Sequence, residues 1–211
     1  MVVGSGCLSC FENGLCSPVF ITAGEVRYSD NSHRFIFKKD VKAWQDKQQL
    51  FSQEFIMDME SQEIWCYGKV SSTFISEPEE DREGERISIT ADDMVYNPVE
   101  RALLFQNNGV LRVKSLEVKA PAIAISFKEE GGIQVLTAAG GVTFQSDSHD
   151  GRSDMCEYDL KKETIVFTGK PVINDKEKGT LQGDKLTFHL ADDKITVENL
   201  GLRRSITIIK S

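Results

Sequence analysis

The sequence predicts an all-β fold, an elongated antiparallel sheet assembled from stacked two-strand repeats of about 30 residues. Three observations carry that prediction. A short register, a small or polar residue with apolar side chains three and five positions later, recurs at Ala91-Asp92-Asp93-Met94-Val95-Tyr96, Ser153-Asp154-Met155-Cys156-Glu157-Tyr158 and Gly183-Asp184-Lys185-Leu186-Thr187-Phe188. Around these registers, apolar and polar residues alternate with period 2, the signature of a strand with one buried face. Helical periodicity is confined to a single stretch.

Residues 1–19 read as an irregular leader. They hold Cys7, Cys10 and Cys16, three of the five cysteines. Cys7-x2-Cys10 resembles half of a zinc knuckle, but no second pair of ligands follows, and an odd cysteine count does not make a closed disulfide framework. No metal or other cofactor is expected. The opening lacks the basic start and apolar run of a secretory signal, and no stretch approaches the roughly 18 apolar residues of a membrane span.

From residue 20 the repeats begin. The register fits Ala23-Gly24-Glu25-Val26-Arg27-Tyr28, Ser52-Gln53-Glu54-Phe55-Ile56-Met57 and Ala120-Pro121-Ala122-Ile123-Ala124-Ile125 more loosely, giving six starts at 23, 52, 91, 120, 153 and 183. The starts are 29, 39, 29, 33 and 30 residues apart. The long interval contains residues 76–86, an acidic, Pro- and Gly-bearing run expected to be a solvated loop. Within a unit the first segment meets a polar turn and then a second alternating segment, as in Leu186 to Leu190, Ala191 to Lys194, and Ile195 to Val197.

Second segments carry the alternation at Phe35/Phe37, Ile64/Cys66, Leu103/Phe105, Ile133/Val135 and Ile165/Phe167, and several run on to glycine and valine, at Gly68/Val70, Gly109/Val110, Gly141/Val142 and Gly169/Val172. Glycine there predicts a bend or bulge. The one candidate helix is Lys39 to Phe51, with Val41, Trp44 and Phe51 on one face.

A two-strand unit cannot bury its apolar face alone, so the units stack around a shared apolar interior. Alternation points Met94, Tyr96, Phe105, Ile123, Ile125, Tyr158, Phe167, Leu186, Phe188, Leu190, Ile195 and Val197 inward, with Asp92, Asp93, Glu157, Lys185, Thr187 and Lys194 outward. Phe20-Ile21 at one end and Ile206/Ile208 at the other read as edge strands able to pair with a neighbouring protein.

Charge and chemistry exclude much. With 25 Lys+Arg against 33 Asp+Glu and a net charge of −8, the chain has the wrong sign for phosphate-driven nucleic-acid binding. The histidines His33, His149 and His189 sit in no catalytic frame, and Ser146-Asp147-Ser148-His149-Asp150 reads as a polar turn. Asp92-Asp93 and Asp192-Asp193 read as solvated or turn pairs, Gly131-Gly132 and Gly140-Gly141 as turns. No repeated acidic column supports a glycosidase. No catalytic residue is assigned.

The run Gly183 to Val197, with the basic and apolar ending Leu202-Arg203-Arg204-Ser205-Ile206-Thr207-Ile208-Ile209, resembles the last repeat of the OstA-like (LptA) family of lipopolysaccharide-transport proteins. Ile89 to Val110, a tyrosine-bearing strand, a turn and a strand closing on Gly-Val, is similar to that family's repeat as well. The match is strongest over 87–209, and residues 20–75 follow the pattern alone, with a likeness to the related LptC component. The resemblance implies one β-jellyroll over 20–211, shaped like a taco, whose groove is lined by the twelve inward residues and holds the acyl chains of lipopolysaccharide or a related glycolipid. It implies a periplasmic location and strand pairing, through Phe20, Ile21, Ile206 and Ile208, with other jellyrolls of the transport system or with further copies. Lys114, Lys119, Arg203 and Arg204 are cations expected near the groove mouth, mainly as solvated surface. A scaffold with a dry core, docking partners through its edges, is the alternative.

Overall fold

In a computed structural model of the chain, residues 18–76, 84–129, 132–177, 179–191 and 194–199, with the backbone of 206–209, are described. β-branched and aromatic alternation yields strands wherever it was read. In chain order they are β1 (Phe20–Thr22), β2 (Glu25–Ser29), β3 (Arg34–Gln45), β4 (Gln48–Asp58), β5 (Ile64–Ile75), β6 (Arg86–Asn97), β7 (Ala102–Val113) and β8 (Leu116–Phe127). Then come β9 (Ile133–Gln145), β10 (His149–Asp159), β11 (Thr164–Thr168), β12 (Val172–Asp175), β13 (Gly179–Gln182), β14 (Lys185–His189), β15 (Lys194–Glu198) and β16 (Ile206–Ile209). All sixteen belong to one antiparallel sheet, joined mostly by hairpins in sequence order. Among the described residues the only helical element is a single 3-10 turn, Asp30–Ser32.

The sheet is folded along its length. The strands β3 to β10 are long, and pairing along them slips at mid-strand, between Lys38 and Val41, Phe51 and Glu54, Tyr67 and Val70, Thr90 and Asp93, Gln106 and Gly109, Lys119 and Ala122, and Ser153 and Met155. These slips line up into one corner. Every second strand turns it on two consecutive left-handed residues, Lys39-Asp40, Gly68-Lys69, Asn107-Asn108, Gly140-Gly141 and Gly169-Lys170. At the ends of the fold the corner breaks the strand outright, so β1 and β2 both pair with β3, and β11 and β12 both pair with β10. Gly169 is required at its place, since its φ is +78° and a Cβ there would lie 2.4 Å from that of Asp154.

The six repeat starts are the corners of the intervening strands. Ala23-Gly24 and Gly183-Asp184 fall in the gaps between β1 and β2 and between β13 and β14, while the other four fall at the slips. The corner divides the sheet into two walls. Wall A comprises β2, the outer halves of β3 to β10 that carry Phe37, Phe55, Cys66, Met94, Phe105, Ile123, Ala138 and Cys156, and then β11, β14 and β15. Wall B comprises β1, the opposite halves, and β12, β13 and β16. Across the interior the ring of Phe144 on wall B stacks 4.3 Å from Phe167 on wall A, and His149 lies 5.0 Å from Phe188. The product is a V-shaped trough with both inner faces apolar, a β-jellyroll as expected.

The helix expected over 39–51 does not form. Lys39-Asp40 is a corner, Val41 to Gln45 completes β3, Asp46-Lys47 turns, and β4 follows. Val41, Ala43 and Gln45 point inward with period 2 while Phe51 is exposed, so pairing on both sides of the hairpin overrides the weak helical spacing. The alternation at Ile133/Val135 is interrupted as well. A slip between Ser126 and Phe127 puts Leu136 and Ala138 inside in place of Val135. The acidic loop 77–83, the cysteines Cys7, Cys10 and Cys16, and Gly131, Asp192, Asp193, Arg203 and Arg204 lie outside the described residues.

Turns at the rims are held by side chains. The Asp58 carboxylate accepts the backbone N–H groups of Glu60 and Ser61 at 3.0 Å each and the Nε–H of Arg34 at 2.9 Å. These donors, the Ser61 amide first and then Arg34, hold its pKa down to about 2. The turn's contribution is therefore complete above the unfolded carboxylate range and is lost only as pH falls through about 2. Proton-detected titration of Asp58 is expected to give that midpoint, and one near 4 would show that the three donors are not engaged in solution.

Candidate functional site

The trough's wall A is lined by the side chains that alternation placed inside. Met94, Phe105, Ile123, Ile125, Phe167 and Leu186 are almost completely buried, and Tyr96, Tyr158 and Phe188 nearly so. Leu190, Ile195 and Val197 are half-buried against the same core because they lie in and beside the last strands of this wall. The outward set of Asp92, Asp93, Glu157, Lys185, Thr187 and Lys194 faces away from the core. Asp92 and Asp93 accept the side-chain amides of Asn108 and Asn107 at 2.7 and 3.0 Å, staples across the corner.

Wall B was not assigned from the sequence. Its inner face comprises Val41, Val70, Phe74, Ile87, Ile89, Leu111, Val113, Leu116, Val118, Val142, Phe144 and Ile173, all buried. The valine after the corner marks this face at Val41, Val70 and Val142, whereas after Gly109 and Gly169 the inward residues are Leu111 and Ile173 and the valines Val110 and Val172 fall in the outward phase. Ionisable groups on the inner faces report an apolar medium: burial pushes the Cys156 thiol up to about 12, raises Cys66 further, and raises the Tyr96 phenol.

The walls are in contact along much of their length and part near one end. There a narrow cleft of about 30 Å³ runs between the β3–β4 turn and the rim of wall A. Ala43, Leu50 and Phe74 line it from wall B; Met94, Tyr96, Leu103 and Phe127 line it from wall A; Gln45 and Gln48 stand at its wall B rim. The surface is apolar with a few amides at one edge.

Further along, polar side chains bridge the mouth. Lys114, in the β7–β8 turn of wall B, holds Glu163 of the β10–β11 turn of wall A at 3.0 Å and Glu85 beside it on wall B at 2.5 Å. The Tyr158 hydroxyl donates to Glu85 at 3.1 Å. Of the other expected mouth cations, Lys119 pairs with Glu117 on the outer face.

His149 differs from its expectation as a polar-turn residue. It opens β10 inside the trough, 1% exposed, with Nδ1 2.8 Å from the Ser148 hydroxyl and Nε2 3.4 Å from the Asp175 carboxylate. Asp175 comes from β12, so the topology rather than the local motif assembles this set. Among the described residues no group of three or more His, Cys, Asp or Glu side chains is placed to hold a metal ion.

Phe20 lies on the outer face of β1 and stacks 5.3 Å from Trp44, while Ile21 is buried. β1 and β16 are the terminal strands of wall B, and β16 carries Ile206 and Ile208 opposite Gln182 and Thr180. No helix among the described residues is long and apolar enough to cross a membrane.

The repeats, the corner and the paired walls match a known family pattern. The model of the family described as LptA/(LptD N-terminal domain) LPS transport protein matches this chain over residues 20–130 and again over 88–194. The chain belongs to this family. The two overlapping matches take in the weaker first repeats as well as the later ones, so residues 20–75 share the family pattern. Among solved structures, LptH from Pseudomonas aeruginosa, titled the LptA-homologous periplasmic component of a lipopolysaccharide transport device, is similar with a TM-score of 0.52 at 12% identity. The similarity covers 59% of this chain and 95% of that one, and at that identity it bears on the fold. No curated protein matches the chain.

Proposed function

We propose that this protein carries lipopolysaccharide or a related glycolipid without chemistry, by holding its acyl chains between the two apolar walls, as a periplasmic segment of a bridge to the outer membrane. The observation that carries the reading is the continuous pair of apolar inner faces, with a narrow apolar cleft between them at one end, in a chain of the LPS-transport family. Burial of each methylene contributes about 0.8 kcal/mol, so a few methylenes per chain retain a lipid, and a uniform apolar track has no deep trap along it. Direction comes from an energy source elsewhere. On this reading β1, with Phe20 and Ile21, and β16, with Ile206 and Ile208, pair with neighbouring jellyrolls or further copies by strand addition.

Titration of the purified protein with fluorescently labelled lipopolysaccharide tests the proposal. Saturable binding, displaced by unlabelled lipopolysaccharide and absent after unfolding, is the expected result. A second reading, a dry scaffold that docks partners by its edges, draws on the complete burial of Phe105, Ile123 and Phe167 beside the corner. It predicts no binding by the folded protein.

A further inference from the structure

We propose that Lys114, Glu85, Glu163 and Tyr158 form a latch across the trough's mouth, dividing the open cleft from the closed half, and that the latch must part for an acyl chain to pass between the walls. The inference rests on the lipid-carrying reading above and names the residues that control access to the interior.

Glu85 precedes β6 and Lys114 follows β7, both on the rim of wall B; Glu163 lies in the turn after β10 and Tyr158 within β10, both on wall A. The Lys114–Glu163 pair and the Tyr158–Glu85 hydrogen bond therefore tie one rim to the other, joining residues 49 and 73 positions apart in sequence. The carboxylates are shielded, with Glu163 12% and Glu85 20% exposed, and Lys114 serves both. Hydrogen bonds to Glu85 and then Glu163 raise the Lys114 pKa, so the cation persists through the neutral range.

Beneath and beside the latch the interior is closed by the Phe144–Phe167 stack. On the other side lies the cleft, whose rims approach through Phe74 and Phe127 with ring centres 6.5 Å apart. A chain seated in the cleft therefore meets the closed half at the latch. The walls share only the corner, where consecutive left-handed residues and a slipped register interrupt the regular ladder, the place where a change of backbone angle would be absorbed. Apolar contacts between the walls are replaced by contacts with an entering chain, whereas the latch's polar contacts are not. The latch is thus the element whose removal should speed entry of a lipid.

Stopped-flow uptake of a fluorescent monoacylglycerol, whose neutral head has no attraction for Lys114, tests this. In Lys114→Ala and Glu163→Gln, uptake is expected to quicken about fivefold, the factor equivalent to roughly 1 kcal/mol for a partly shielded ion pair. Tyr158→Phe, which removes only a hydroxyl, should quicken it as well, and thermal melting checks that each variant is folded. Uptake by the wild type with unchanged rates in all three folded variants would overturn the latch and leave the lipid-carrying reading intact. No uptake by any folded protein would overturn both.

Discussion

Truncating Phe105 to alanine is expected to lower the free energy of unfolding by about 3–5 kcal/mol. The ring is fully buried on wall A, between Met94 of β6 and Ile123 of β8 on the same face. Those neighbours are themselves completely enclosed, and the ladder on either side limits how far the site can collapse into the space left. Gln106, the next residue along β7, points to solvent, so Gln106→Ala should stay within about 0.5 kcal/mol of the parent. Urea denaturation measures both. A loss below 1 kcal/mol for Phe105→Ala would mean that the interior beside the corner is loosely packed, contrary to the complete burial of Phe105 and Ile123.

Phe127→Glu is expected to weaken acyl binding tenfold or more while leaving the fold intact. Phe127 ends β8 at the rim of wall A, partly exposed, and lines the cleft with Tyr96 and Leu103 opposite Phe74. Loss of contact with about two methylenes corresponds to roughly 1.6 kcal/mol, already more than tenfold, and a carboxylate in the cleft repels hydrocarbon further. Phe51→Glu provides the matched control. Phe51 is as aromatic and more exposed, but it stands on the outer face beneath the Lys42 ammonium. Equal loss in the two variants would place the binding surface outside the trough.

Much of this was legible in the sequence, unevenly. Wall A was readable because its inward positions are large and apolar against polar neighbours, as in Met94, Tyr96, Leu186 and Phe188. Wall B was hidden by its own composition: Ala43, Gln45, Ser52, Ser72, Ala91, Ala120 and Ser153 face inward there, and small or polar side chains erase the contrast on which alternation depends. The repeat period was correct, but its starting residues mark corners rather than strand beginnings, so each predicted strand was about half of a longer one. Glycine signalled the corner at Gly68, Gly140-Gly141 and Gly169. Lys39-Asp40 turns the same corner with residues that carry no such signal, and there the helix was expected. The latch and the His149–Asp175 contact join residues distant in sequence, which only the folding of the sheet brings together.

Photo-crosslinking to lipopolysaccharide, from probes placed one at a time inside and outside the trough, tests the carrier most directly. The inside positions are Tyr96 and Phe188 on wall A and Phe74 on wall B; the outside ones are Asp93, Thr187 and Thr73 on the same strands. Crosslinks from the inside positions of both walls, with none from the outside, are the predicted result. Crosslinks from neither set, or equally from both, in a protein that melts like the parent, would contradict a lipid held between the walls.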